Sequence, residues 1–567
     1  MFNSDPFKGK MWAIASAVPG MSHVDVSKAL QKRGARLSNT LTQRVDALVS
    51  AGYTHDKKSG FSDKELKARQ YNIPIVNEAQ FLALLRGETA SEVEALGHAP
   101  EDNPKISLDD ALTRLRGMAH EEPSYQVWQK TCKLLDQCSD EDLPMALDYI
   151  EGHLDRWPEV YAMEWGARVQ QHQWRHLPAA WRRDMLAGRD NPRLRLVRII
   201  NLNSTRAPAS AEPQALLGAK SLNRARMIDL GRNRPSAELL RALRSAKHLA
   251  SLTHFYMGDM TLTEAACAAL AGPATWSATH LSLRSANIES NGLAVALGGE
   301  CWTHLRELNL HQQRQRNACP AQALADARHI AHLETLLLDY NEISATGLKA
   351  LMSTDQLANL RELNLYGCRL GPAHIDALTE AHHLTHLRRL KLGELTTATQ
   401  MNDLMNAAHL EGLQTLSFDA RNNNGVTALA ASSLRPRELS ITQNLTEENV
   451  AALLGSRALE KVERLNLNMN FRSHELNLRL GCMFLSHRSM QGVTSLNMSS
   501  VPIDNAVLKI LLHEGQHLGQ LQRLGLNYYK PRHISQEILD AVINAPHLNA
   551  ELRQQLQRSA STDHNRH

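Results

Sequence analysis

Twenty-seven histidines and seven cysteines are the residues best able to hold a metal ion or attack a substrate in this chain. A zinc site needs three or four such side chains converging on one point. His172 and His176 stand four residues apart, as do His382 and His386, so each pair would share one face of a helix. Neither pair has a third ligand nearby, and no HExxH occurs. Five other histidines follow a different rule. His248, His329, His383, His409 and His517 each precede an apolar residue that lies six positions before a strand centre. A recurrent position has a recurrent structural cause, here a polar residue beside the turn from helix to strand. No metal and no cofactor is therefore expected.

The cysteines, at positions 132, 138, 267, 301, 319, 368 and 482, are odd in number and scattered, with no CxxC. That usage favours a reducing compartment, the cytoplasm. Cys482 falls inside a repeat and reads as a core residue rather than a nucleophile. The phosphate-cradling, dinucleotide, serine-hydrolase and kinase motifs are all missing. The expectation is a protein that is not an enzyme and has no small-molecule substrate. Apolar residues make up 43% and charged residues 22% of 567 positions, which suits a globular chain of two or three domains. A net charge of only +4 argues against a protein built to coat nucleic acid. No run of about 18 apolar residues is present, so no membrane span is expected.

The elements that must position any site follow a repeat. Leu333-xx-Leu336-x-Leu338-xx-Asn341-x-Ile343 has counterparts in Leu360-xx-Leu363-x-Leu365-xx-Cys368-x-Leu370 and around Leu281. Twelve central apolar residues recur: Ile228, Phe255, Leu281, Leu308, Leu336, Leu363, Leu390, Leu416, Leu439, Leu465, Leu496 and Leu524, in steps of 23 to 31 residues. One short strand cannot bury its own leucines, but stacked strands share a core. Asn341 is placed to bond backbone groups in the turn after its strand. Helix-like stretches lie between strands at 345–351, 373–378 and 449–454, with Ser344 and Thr446 as caps. The pattern resembles a leucine-rich repeat of the ribonuclease-inhibitor type over residues 196–550. That resemblance implies a curved solenoid with parallel strands inside and helices outside.

Residues 6–87 alternate in the α/β manner. Strands are expected at 11–17, 35–38, 45–49 and 73–76, with helices at 24–33, 64–71 and 78–85. Lys8 and Lys10 before Met11–Val18 have the outline of a short signal peptide, but the apolar run is interrupted, so we read it as the first strand. Gly9-Lys10, Gly34-Ala35, Val45–Val49, Asp63-Lys64-xx-Lys67-Ala68 and the segment Ile73 to Leu82 keep the order and spacing of a bacterial-type BRCT domain, which this region resembles. Many such domains bind phosphopeptides or phosphorylated DNA ends. Their pocket uses a Ser or Thr ending strand one, a following Gly amide, and a Lys opening helix two. Here these positions hold Ala15, Ser16 and Lys64. The resemblance therefore implies a weakened phosphate site at Ser16 and Lys64, and a domain suited to docking.

Residues 88–106 are acidic and polar with two prolines, a linker. Residues 107–195 read as a helical domain, opening at Ser107, that caps the solenoid. Its expected stripes are Ala111, Leu112, Leu115 and Met118; Trp128, Cys132 and Leu135; and Met145, Leu147 and Ile150. Tryptophans at 128, 157, 165, 174 and 181 are expected to fill its core. A polar tail spans 551–567. The fold class is thus multidomain α/β: a small BRCT-like domain, a helical cap domain and a curved leucine-rich-repeat solenoid.

Strand alternation sends the residues flanking each central leucine to the concave face. Among them Tyr256, Arg284, Glu307, His311, Leu337, Asp339, Glu362, Asn364, Tyr366, Arg389, Lys391 and Asp419 form the candidate protein-binding surface. It is polar and mixed in sign, without the aromatic ladder of a single-strand binder or the basic stripe of a duplex binder. The expected function is a bacterial, cytoplasmic adaptor that binds a protein partner on this face, with the BRCT-like module as a second docking site. Two alternatives stand beside it: a DNA-maintenance accessory whose BRCT-like domain binds DNA ends or a repair enzyme, and an inhibitor that wraps its target.

Overall fold

A computed structural model describes residues 7–15, 21, 23–38, 40–42, 45–50, 68, 71, 73–76, 78–86, 105–157, 175–202, 211–232, 234–288, 292–313, 320–327, 329–394, 399–419, 424–442, 445–468, 473–532 and 534–563. Ser16, Lys64 and nearly all of the expected linker lie outside the described residues. The chain divides into two compact units, residues 1–121 with 129–153, and residues 122–128 with 154–567.

In the first unit, strands β1 (Met11–Ile14), β2 (Arg36–Ser38), β3 (Ala47–Val49) and β4 (Ile75–Val76) form a parallel sheet in the order β2-β1-β3-β4. Helices α1 (His23–Lys32) and α2 (Glu78–Arg86) supply crossovers and cover. Phe7, Trp12 and Phe81 pack ring to ring in the core, with centroids 5.2 to 6.4 Å apart. Gly9 and Gly34 both have positive φ, and the Gly9 N–H donates to the Gly34 carbonyl at 2.9 Å. These two glycines meet where β1 begins and α1 ends, a backbone shape that a Cβ would strain.

Three helices follow: α3 (Leu108–Ala119), α4 (Tyr125–Asp136) and α5 (Leu143–Leu154). Ser107 caps α3 by accepting from the Asp110 N–H. One expected stripe needs correction. In α5 the buried side chains are Leu143, Ala146, Leu147, Ile150 and Leu154, whereas Met145 is 57% exposed. Positions 143, 146, 147, 150 and 154 share a face at 3.6 residues per turn, and 145 points away from it.

The second unit is built on a thirteen-stranded parallel sheet. Its strands are β5 (Ile199–Asn201), β6 (Met227–Asp229), β7 (His254–Tyr256), β9 (His280–Ser282), β11 (Glu307–Asn309), β12 (Thr335–Leu337), β13 (Glu362–Leu365), β14 (Arg389–Glu394), β15 (Thr415–Asp419), β16 (Glu438–Thr442), β17 (Arg464–Asn468), β18 (Ser495–Asp504) and β19 (Arg523–Arg532). The intervening β8 (Thr261–Leu262) and β10 (Asn287–Ile288) pair with each other. All twelve expected strand centres stand in one lateral row, from Ile228 opposite Phe255 to Leu496 opposite Leu524. A thirteenth centre, Ile200, pairs with Ile228 at the start.

The turns have a shared construction. Asn341 donates Nδ2–H to the carbonyls of Leu310 (2.8 Å) and Leu338 (2.7 Å), and its Oδ1 accepts from the Gln313 N–H (2.8 Å). One repeat later the Cys368 thiol donates to the Leu338 carbonyl. Four residues after each centre, the backbone is left-handed at Arg232, Asp259, Ser285, Gln312, Tyr340 and Gly367. The N–H at that position reaches the next strand's chain, as from Gln312 to Asp339 O and from Tyr340 to Tyr366 O. After β13 no further left-handed residue stands at this position among the described residues, and the strands lengthen.

Both ends of the sheet are covered. At one end, Ile199 N and Arg198 N donate to the Arg175 carbonyl, and Leu177 N donates to Ile199 O, so residues 175–177 act as a partial strand beside β5. At the other, Gln555 accepts from Leu524 N (3.1 Å) and donates to Leu524 O (2.7 Å). Its amide takes the place of a further strand along an edge that would otherwise be sticky. Gln555 lies on the terminal helix Ala550–Asp563, so the expected polar tail is largely helical.

Candidate outward face of the repeat sheet

Because centres and their second neighbours point into the core, the residues one before and one or three after each centre point outward. Lateral neighbours in this face stand about 4.8 Å apart, close enough for their side chains to touch. Two rows therefore carry most of the chemistry.

In the row one residue before each centre, charges pair along the sheet. Glu362 accepts from Arg389 at 2.9 Å and lies 3.4 Å from the Lys391 ammonium. Glu438 pairs with Arg464 and accepts from Thr415 at 3.4 Å. Earlier in the same row, the rings of His254 and His280 stack 4.0 Å apart, 10° from parallel. His280 Nε2 stands 3.7 Å from Glu307. Burial, then His280 and Arg226, lower His254 to about 3. Burial also lowers His280, with Arg306 adding to the effect and Glu334 opposing it. Glu307 is raised by its own burial and then by Glu362.

The rows after each centre behave differently from expectation. His311, Leu337, Asp339, Asn364 and Asp419, expected on an open face, are all under 9% exposed. For Asn364 the cause is the turn, and Asn309 and Asp229 behave alike. Asn309 Oδ1 accepts from His311 N, Asn364 Oδ1 from Tyr366 N, and Asp229 Oδ1 from Gly231 N, which folds these side chains onto the backbone two residues on. His311 Nδ1 donates to Asp339 Oδ2 at 2.5 Å, both groups buried. Tyr256 is half-buried and lies over Gly231 and Gly258, whose missing side chains leave room for its ring.

Arg284, Glu307, Glu362, Tyr366 and Lys391 are partly exposed, and Arg389 is exposed. From β14 onward the row one after each centre opens. Lys391, Ser417 and Ser440 are partly exposed, and Asn466 and Asn497 are exposed. Asn497 donates to Asn466 and Asn466 to Ser440, a lateral polar ladder. The structure thus brings together Glu362, Arg389 and Lys391, and separately His311, Asp339 and Tyr366.

Tyr340 was missed by sequence reasoning. It is 45% exposed, and its ring meets His311 at 5.4 Å and Tyr366 at 5.6 Å, edge to face in both cases. It occupies the left-handed position, which a count of strand alternation skips. The glycine one repeat later, Gly367, was the available signal.

Of the five histidines flagged by register, two bond the preceding repeat, whereas the buried Nε2 atoms of His383 and His517 have no hydrogen-bond partner among the described residues. His248 Nε2 donates to Leu216 O (2.8 Å) and His409 Nε2 to Leu378 O (3.2 Å), both late carbonyls of the preceding repeat's helix. No group of three potential metal ligands converges among the described residues. Burial raises the thiols of Cys301 and Cys368 to about 12 and Cys482 to about 11, which disfavours a thiolate nucleophile at each.

The fold and this face define a BRCT domain followed by a leucine-rich-repeat solenoid. Residues 2–85 match the family described as BRCA1 C Terminus (BRCT) domain, which agrees with the β2-β1-β3-β4 sheet. The solenoid assignment rests on the in-register parallel sheet with one repeat per strand. No curated protein matches the chain. Among solved structures, an internalin, inlF, from Listeria monocytogenes str. 4b F2365 is similar at 15% identity, with a TM-score of 0.30, over 64% of this chain and 86% of that one.

Proposed function

We propose that this protein is an interaction adaptor that docks a protein partner on the outward face of its repeat sheet, with the BRCT domain as a second docking site. The observation that supports it best is the charged group on β13 and β14. Arg389 is 61% exposed while its partner Glu362 is only 12% exposed, so the guanidinium is presented outward from a fixed base. Fixed, mixed-sign charges beside tyrosines suit recognition of a protein surface. Two modest interfaces on one chain would raise the effective concentration of one bound partner near the other. The six described cysteines are all free thiols, in keeping with work in a reducing compartment such as the cytoplasm. No described helix is long and apolar enough to cross a membrane.

The test is affinity capture from the protein's own cells, comparing wild type with Arg389→Glu/Lys391→Glu and with a control on the helical side, Lys349→Glu. The proposal predicts preys lost only in the first variant. The same preys from all three proteins would move recognition off this face.

A further inference from the structure

Three aromatic rings, those of His311, Tyr340 and Tyr366, meet in turn at the ends of β11 to β13, and the first of them bonds a carboxylate of unusual setting, Asp339. Asp339 is fully buried. Its Oδ2 accepts from His311, while its Oδ1 has no hydrogen-bond partner among the described residues. A buried carboxylate oxygen without a donor is costly, and such groups call for an explanation. Directly beside it in sequence, Tyr340 projects outward, 45% exposed, and meets the Tyr366 ring edge to face. In the row three residues after each centre, the order is Arg284, His311, Asp339 and Tyr366. The one permanent cation of that row, Arg284, therefore lies on the far side of His311 from Tyr366.

We infer that Tyr340 and Tyr366 form the seat for a basic side chain, Lys or Arg, of the protein partner, with Asp339 supplying the negative potential beneath it. This deepens the docking reading above and rests on it. Tyrosine faces attract a cation through the ring quadrupole, and a nearby buried carboxylate adds to that field. The complementarity selects a cation over an apolar or acidic group. Tyr340 also meets the structural need of an anchor: it is held by two ring contacts, and Gly367 leaves space for it, since a Cβ there would come within 2.7 Å of the Tyr340 ring.

The experiment uses the full chain at 150 mM salt and two rhodamine-labelled 13-residue peptides, one alternating Gly and Arg, the other Gly and Gln, read by fluorescence anisotropy. The Arg peptide binds wild type more tightly than the Gln peptide does. Tyr340→Ala weakens it about 3- to 30-fold, the range of a desolvated cation–π contact. Tyr340→Phe, which keeps the ring, stays within about twofold. Asp339→Asn weakens the Arg peptide and leaves the Gln peptide unchanged; its thermal unfolding is followed alongside, and Tyr340→Ala carries the test if that variant unfolds. No Arg-peptide binding, equal binding of both peptides, or wild-type binding by Tyr340→Ala overturns the inference. Failure here is separable from failure of the docking reading. Preys lost with Arg389→Glu/Lys391→Glu but kept by Tyr340→Ala would overturn the basic seat alone, and preys kept by both would overturn both.

Discussion

Asn341→Ala removes the most heavily used side chain in the turns. Its Nδ2 serves Leu310 O and Leu338 O, and its Oδ1 serves Gln313 N, all at 2.7 to 2.8 Å, with the residue 5% exposed. Leu338 O keeps the Cys368 thiol as a donor at 3.3 Å. Leu310 O and Gln313 N lose the bonds that Asn341 made. Each buried polar group left without a partner costs about 1–3 kcal/mol, so with two such groups the variant should lose about 2–6 kcal/mol. Asn341→Cys should recover part of that loss, because Cys368 already does comparable work one repeat on. The assay is urea unfolding of the full chain followed by circular dichroism, with hydrogen exchange over residues 305–345. Repeat arrays can unfold in parts, so the exchange data locate the effect. A loss below about 1 kcal/mol with unchanged exchange in this window would refute the reasoning.

Three further outcomes rest on separate features. Gln555→Ala strips the amide from the β19 edge, and we expect concentration-dependent association by light scattering together with a lower Tm. Gly367→Ala places a Cβ at φ +70 and against the Tyr340 ring, so unfolding should ease by more than the ~1–2 kcal/mol of left-handed strain alone, measured by urea midpoint. Stability should fall in acid through the stacked histidines. His254 is lowered to about 3 when folded, whereas the unfolded imidazole titrates near ~6.5. Between those values the unfolded chain binds a proton that the folded chain refuses. This contribution is therefore intact above pH ~6.5 and declines below it, by at most about 1.4 kcal/mol per pH unit, and His254→Asn should flatten the slope of urea midpoint against pH.

The repeat was legible because each centre must be apolar for the strands to share a core, and Ile228 to Leu524 lie in one row as the spacing requires. The first strand obeys the same rule. Val197, Ile200 and Leu202 match the apolar frame 28 residues before Ile228 and are buried; they fall inside the expected repeat region 196–550, but Ile200 is not among its twelve expected centres. Which outward residues stay exposed was not legible. Asn364 is drawn in by the Tyr366 N–H and His311 by Asp339, beside turns whose left-handed residues include Gln312 and Tyr340. None of these residue types announces such a backbone. The pairing of Glu362 with Arg389 was foreseeable from the row they share, and that with Lys391 from its place two residues further along the neighbouring strand. The contact of Tyr340 with Tyr366 was not, because it depends on that turn.

Docking on the outward face is tested most directly by a photo-cross-linking amino acid placed in the full chain at Lys391, on the sheet, or at Lys349, on the helix Ala345–Met352. Irradiation in the protein's own cells should give a discrete partner adduct from position 391 and none from position 349. An adduct from 349 with none from 391 would contradict the account and put the partner on the helical side.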